Sequence, residues 1–204
     1  MKNTRGGGDP INVVICNSPN KPEIEGKSLA QLTEENGRPP TCENASQMVL
    51  DLTALGDVGC IFHNLDEQDV ETIMKNKDGI VASDGIVVEF GKQKPHPRSY
   101  GTFPRVFSKY VRKLKIISIE NAIRKMTSNP AKRLGLTDRG VLEEGYFADI
   151  VVFDPLEIQD VSTFEHPHHY AKGIDYLIIN GVLAIDEGIF TGEMAGKFIK
   201  NHKE

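Results

Sequence analysis

Over the first half of the chain, apolar residues fall into short runs separated by stretches with three-and-four spacing. This is the pattern of strands alternating with helices around a parallel sheet. Ile11 to Cys16, Val58 to Phe62 and Gly79 to Ala82 lack strict in-out alternation and predict short strands covered on both faces. Between them, Ser28 and Gln31 form a capping box and Gly37 supplies a stop. Ala45, Met48, Val49, Leu52 and Leu55 recur on one face of the next helix. Asp66 predicts the N-cap of a third, with Leu65 and Val70 as a hydrophobic staple and Val70, Ile73 and Met74 as its buried stripe. Residues 58–82 thus read as a strand-helix-strand crossover.

A loop containing proline and glycine follows from Ile86 to Thr102, long enough to suggest a functional role. Phe103, Val106, Phe107, Tyr110, Val111 and Leu114 predict another amphipathic helix, and Ser118 caps a shorter one bearing Ile119, Ala122, Ile123 and Met126. Pro130 and Gly135 close that region. After Gly140 the period drops to 2: Phe147 to Phe153 and Ile174 to Ile185 read as strands, the second split by an Asn180-Gly181 hairpin turn. The expected class is α/β, with an α/β part over residues 1–138 and an all-β part over residues 139–204.

Composition narrows the function. The formal net charge is -5 over 204 residues, which argues against a nucleic-acid partner. No apolar run is long enough to span a membrane, and Met1 to Pro10 do not resemble a signal peptide, so a cytoplasmic protein without a membrane partner is expected. Cys16, Cys42 and Cys60 have no CxxC spacing and read as reduced, mostly buried thiols.

Four segments carry a resemblance: SDG at Ser83 to Gly85, HPRSYGTFPRVF at His96 to Phe107, MTSNPAKRLGL at Met126 to Leu136, and GYFADIVVFDP at Gly145 to Pro155. With HPHHYAKGIDYLIINGV at His166 to Val182, they occur in the order and spacing of the N-acyl-D-amino-acid deacylase (D-aminoacylase) family of the amidohydrolase superfamily, which the chain resembles over nearly its whole length. The resemblance implies a partial (β/α)8 barrel, its last two or three βα units, followed by a small β-sandwich segment. In that scheme Val58 to Phe62 is the seventh barrel strand and Gly79 to Ala82 the eighth, with Asp84 at the strand end where barrels keep their chemistry.

The family hydrolyses N-acyl-D-amino acids with zinc, which lowers the pKa of its bound water and polarises the amide carbonyl. The resemblance gives Asp84 the proton-transfer role of general base and then general acid, and makes it a possible metal ligand. Alone, SDG would read as a turn; the flanking motifs favour catalysis. His96, Arg98 and Tyr100 are expected to line the pocket, with a guanidinium suited to the substrate's free carboxylate, although Arg98 and Lys94 also fit a solvated rim. His166, His168 and His169 read as a solvated turn rather than a metal site, because no apolar strand leads into them. His63 reads as a partly buried polar residue.

A complete enzyme of this kind needs roughly 450 to 500 residues. The family's metal-binding histidines and cysteine have no counterparts in this sequence, so the chain alone is expected to be inactive. A truncated or interrupted reading frame and a split enzyme, completed by a second chain supplying the missing barrel half, both fit. The rival reading is a non-catalytic remnant or binding module.

Overall fold

The computed structural model describes residues 5–199. Met1 to Thr4, part of the segment judged unlike a signal peptide, lie outside the described residues. The chain divides into two compact units, one of Met1–Glu67, Gly85–Ser99 and Ser162–His169, the other of Gln68–Asp84, Tyr100–Val161 and Tyr170–Glu204.

In the first unit, Asp9 accepts from the amide of Ile11 at 3.0 Å and starts a 3-10 turn over Pro10–Asn12 that leads into β1 (Val13–Asn17). α1 (Leu29–Glu35) begins with the expected capping box: Ser28 Oγ accepts from Gln31 N at 3.2 Å, and Gln31 Oε1 from Ser28 N at 2.8 Å. Thr41 caps α2 (Cys42–Thr53), and β2 (Gly59–Phe62) follows. β1 and β2 pair antiparallel, Val13 opposite Phe62 and Ile15 opposite Cys60, with a bulge at Cys16. The parallel pairing expected of these strands is therefore not formed here. A parallel ladder is weaker per residue and belongs to sheets of several strands covered on both faces, whereas two strands alone pair better antiparallel.

The other side of β1 is occupied as well. Ile15 N donates to Lys27 O at 2.9 Å, Gly26 N donates to Ile15 O at 2.7 Å, and Val14 bridges to Ser28. Val13, Ile15, Ile24, Leu29, Leu32 and Leu52 form the core, with Met48, Val58 and Cys60 packed on it. Of the predicted α2 stripe, Ala45 and Leu52 are buried, whereas Val49 and Leu55 stand exposed. The spacing marked a wider apolar face than this unit covers.

In the second unit, α3 (Glu67–Lys75) begins directly after Asp66. Its stripe is reduced to half-buried Val70 and to Met74, which packs on the core, while Ile73 is exposed; Leu65, the other half of the expected staple, is also exposed. Gly79 to Ala82, expected as a strand, is not one. Val81 packs on the core whereas Ile80 is exposed, and Val81 N donates to Lys125 O at 3.1 Å instead of to a neighbouring strand.

α4 (Arg98–Arg105) starts earlier than Phe103, so the expected loop ends sooner and Arg98 and Tyr100 are helical. His96 Nδ1 accepts from Arg98 N at 3.0 Å, and Pro97 adjoins the first turn, where its missing donor costs nothing. The helix continues as a π-wound segment over Val106–Lys113, just past Pro104, which has no N–H to give. Ser118 Oγ caps α5 (Ile119–Met126) by accepting from Asn121 N at 3.3 Å. α6 (Ser128–Leu134) ends at Gly135 in the left-handed conformation.

β3 (Ile150–Phe153), β4 (Ile174–Ile179), β5 (Val182–Asp186) and β6 (Ile189–Phe190) form an antiparallel sheet in chain order. Asn180 at φ 50° and Gly181 at φ 81° make the predicted tight turn. Arg139 braces it: its guanidinium pairs with Asp149, donates to Asn180 Oδ1 at 2.6 Å and lies 4.1 Å from the Phe147 ring centroid. Val106, Phe107, Ala122 and Ile158 make the core. No described helix is long and apolar enough to cross a membrane.

Candidate active site

Asp84 ends the extended segment that follows α3. It is exposed and sits at φ 47°, a left-handed conformation that aspartate tolerates better than most side chains. It belongs to the second unit, as does Tyr100. The Tyr100 ring packs edge-on against Tyr170 with centroids 5.7 Å apart. Burial, with a smaller contribution from Tyr170, pushes the Tyr100 hydroxyl above its ordinary pKa, so it remains a proton-bearing donor through neutral pH.

His96 and Arg98 belong to the first unit. Arg98 is exposed, whereas His96 is half-buried with its ring edge-on to Phe164 at 4.9 Å. Phe164 also meets the exposed ring of His63 at 4.5 Å and thus touches two imidazoles. His63 was expected partly buried, but it follows the end of β2, where the side chain points out of the core. Beside these rings lies a cavity of about 430 Å³ whose walls include Ile15, Ile61, His63, Lys94, Phe164 and Glu165. Lys94 is tied down at both ends: its amide donates to Cys16 O at 2.8 Å, and its ammonium to Glu165 O at 3.2 Å.

The Glu165 carboxyl is held below the usual glutamate range, first by its own backbone amide and then by the Thr163 hydroxyl, so it stays ionised at neutral pH. The cavity therefore sets Lys27 and Lys94, and Glu25 and Glu165, around an apolar floor. Phe164, Lys94 and Glu165 had no signal as a group in the sequence, because a segment far along the chain supplies the aromatic and the acid. His168 serves the same loop: Nδ1 accepts from Gly91 N at 3.2 Å, which makes Nε2 the donor to Gln93 O at 3.1 Å. Both ring nitrogens of His168 are thus used in holding a turn. Cys16 and Cys60 are half-buried and Cys42 is exposed, contrary to the expectation of mostly buried thiols; all are free.

Zinc sites draw three or four ligands from rigid elements. Among the described residues, no group of three or more His, Cys, Asp or Glu is placed to hold a metal ion. Asp84 could contribute a single carboxylate, so the residues present do not make up a zinc site by themselves.

The family model for the amidohydrolase family matches residues 60–185. D-aminoacylase from Alcaligenes xylosoxydans xylosoxydans is 39% identical over 178 residues, which is 87% of this chain and 34% of that protein. A crystal structure of D-aminoacylase superposes with a TM-score of 0.79 at 36% identity, covering 90% of this chain and 36% of the other. N-acyl-D-glutamate deacylase from Bordetella bronchiseptica, solved with zinc and a phosphonate inhibitor, gives a TM-score of 0.73 at 33% identity, over 85% of this chain and 34% of its own. The chain spans about a third of the length of these relatives. With more than half of its residues inside the family match, and with backbone likeness reaching beyond it, the chain belongs to the amidohydrolase family and is similar there to the D-aminoacylases.

Proposed function

We propose that the chain is the carboxyl-terminal part of an enzyme that hydrolyses the amide bond of N-acyl-D-amino acids. One observation carries this reading: the match to deacylases runs co-linearly through Asp84 and the segment bearing His96, Arg98 and Tyr100. Residues 1–138 correspond to the end of a (β/α)8 barrel and residues 139–204 to a β-sandwich segment. In the reaction, a water oxygen attacks the acyl carbonyl carbon while the Asp84 carboxylate takes its proton. The tetrahedral intermediate then collapses as Asp84 returns that proton to the amide nitrogen, the C–N bond breaks, and a carboxylic acid and a free amino acid leave. Arg98 offers a two-pronged partner for the substrate carboxylate, and His96 and Tyr100 offer hydrogen bonds around it.

Zinc is the cofactor expected in the complete enzyme, bound mainly by residues outside this chain. A polypeptide carrying the rest of the barrel is the partner that would supply them. The test combines this chain with such a polypeptide and measures release of the amino acid from N-acetyl-D-amino acids. Asp84→Ala is expected to lower kcat/KM by about 10² to 10⁴ while leaving the fold intact; retained turnover in that variant overturns the assignment. Zinc binding and turnover by the isolated chain would overturn the second half of the proposal, that the site is shared.

A further inference from the structure

The segment leading to Asp84 is tied in part by a residue the reaction scheme does not use. Lys125 lies on α5 and is only 3% exposed, which is rare for a lysine and unfavourable unless its ammonium is well partnered. Its Nζ donates to the carbonyl of Asn76 and, at 3.2 Å, to that of Gly79, just past the end of α3. Asn76 O also accepts from Gly79 N at 3.2 Å, so the ammonium joins a turn already closed on itself, next to the negative end of the α3 dipole, which favours a cation. The backbone of the same residue makes a third tie, accepting from Val81 N at 3.1 Å.

Gly79 permits this close approach. A Cβ at that position would come 3.2 Å from Lys125 Nζ and 3.3 Å from Asn76 O. Burial lowers the Lys125 pKa from its ordinary value, and Asp78 opposes the shift. In place of the ladder that a strand would have, residues 76–81 have a clasp, and Asp84 comes three residues after its last tie.

We infer that Lys125 is the positioning residue for Asp84, an inference that rests on the catalytic reading of that carboxylate. The 204-residue chain can be tested directly by ¹⁵N relaxation at the amides of Ser83, Asp84 and Gly85. In the parent chain their order parameter should be near the rigid value of about 0.85; Lys125→Met, which keeps the stem and removes the donors, should bring it below about 0.6. Lys125→Arg should restore order, and the amides of Leu177 and Ile185 in the sheet should not change in either variant. Should Lys125→Met fail to fold, Gly79→Ala crowds the clasp from the other side by a few tenths of an ångström and should give a smaller loss at Asp84 in the same direction.

Unchanged order at Asp84 in the variants, or a loss shared equally by the sheet, overturns the inference. These readings need no turnover. Failure of the functional proposal shows separately, as activity that survives Asp84→Ala.

Discussion

The sheet of β3 to β6 and the β1–β2 ribbon are built from similar apolar residues, yet the sequence predicts the β4–β5 hairpin of the first and not the pairing of the second; β3 is shorter than the expected Phe147 to Phe153 and β6 was not expected. In the sheet, β4, β5 and β6 follow one another through two-residue turns, Asn180-Gly181 and Glu187-Gly188, all four residues at positive φ. Each of these strands finds its partner within a few residues. In the ribbon, the strands are separated by two helices, and the pairing they adopt depends on which other strands are available. A short apolar run therefore specifies a strand, but its neighbours decide the direction of pairing, or, for Gly79 to Ala82, whether a ladder forms at all.

The largest expected effect is in the ribbon. Ile15 is fully buried, and Ile15→Ala should destabilise the first unit by about 3 kcal/mol, read by denaturant unfolding. If the sheet is locally specified, the exchange of its amides, Leu177 among them, should not change in that variant; a matching loss there would break the contrast. A smaller effect is expected at the hairpin. Gly181→Ala forces a Cβ into the left-handed conformation at φ 81° and should cost about 1 kcal/mol in thermal unfolding, because it strains the turn that joins β4 to β5.

The smallest effect sharpens the point for a helix. Ser118 caps α5, and its hydroxyl is the first cause holding the Glu120 carboxyl below the usual glutamate range, followed by that residue's own backbone amide. Ser118→Ala should cost about 1 kcal/mol through the lost cap. It should also move the Glu120 titration upward, visible by NMR. The sign follows from the lowered pKa: that carboxylate's contribution is present above the ordinary glutamate range and is lost as pH falls through the folded value. The gap between variant and parent should therefore narrow in acid and remain constant near neutrality.

Local chemistry was readable ahead of the structure. The Ser28 capping box, the Ser118 cap and the Asn180-Gly181 turn each need only a few adjacent residues, and each is present. The family was readable too, because its motifs are strings with fixed spacing, and the match over residues 60–185 agrees. Hidden were features joining distant segments: Phe164 touching both His63 and His96, Lys125 reaching back to Asn76, and the antiparallel sense of the ribbon. The start of α4 was missed for a different reason. Proline and glycine near His96 suggested a loop, whereas Pro97 lies beside the first helical turn.

Ile15 gives its amide to Lys27 and takes one from Gly26, on the side of β1 away from the ribbon's other strand. One flank of β1 is closed by its own chain and the other by β2, so that strand has no bare side to offer to a foreign segment.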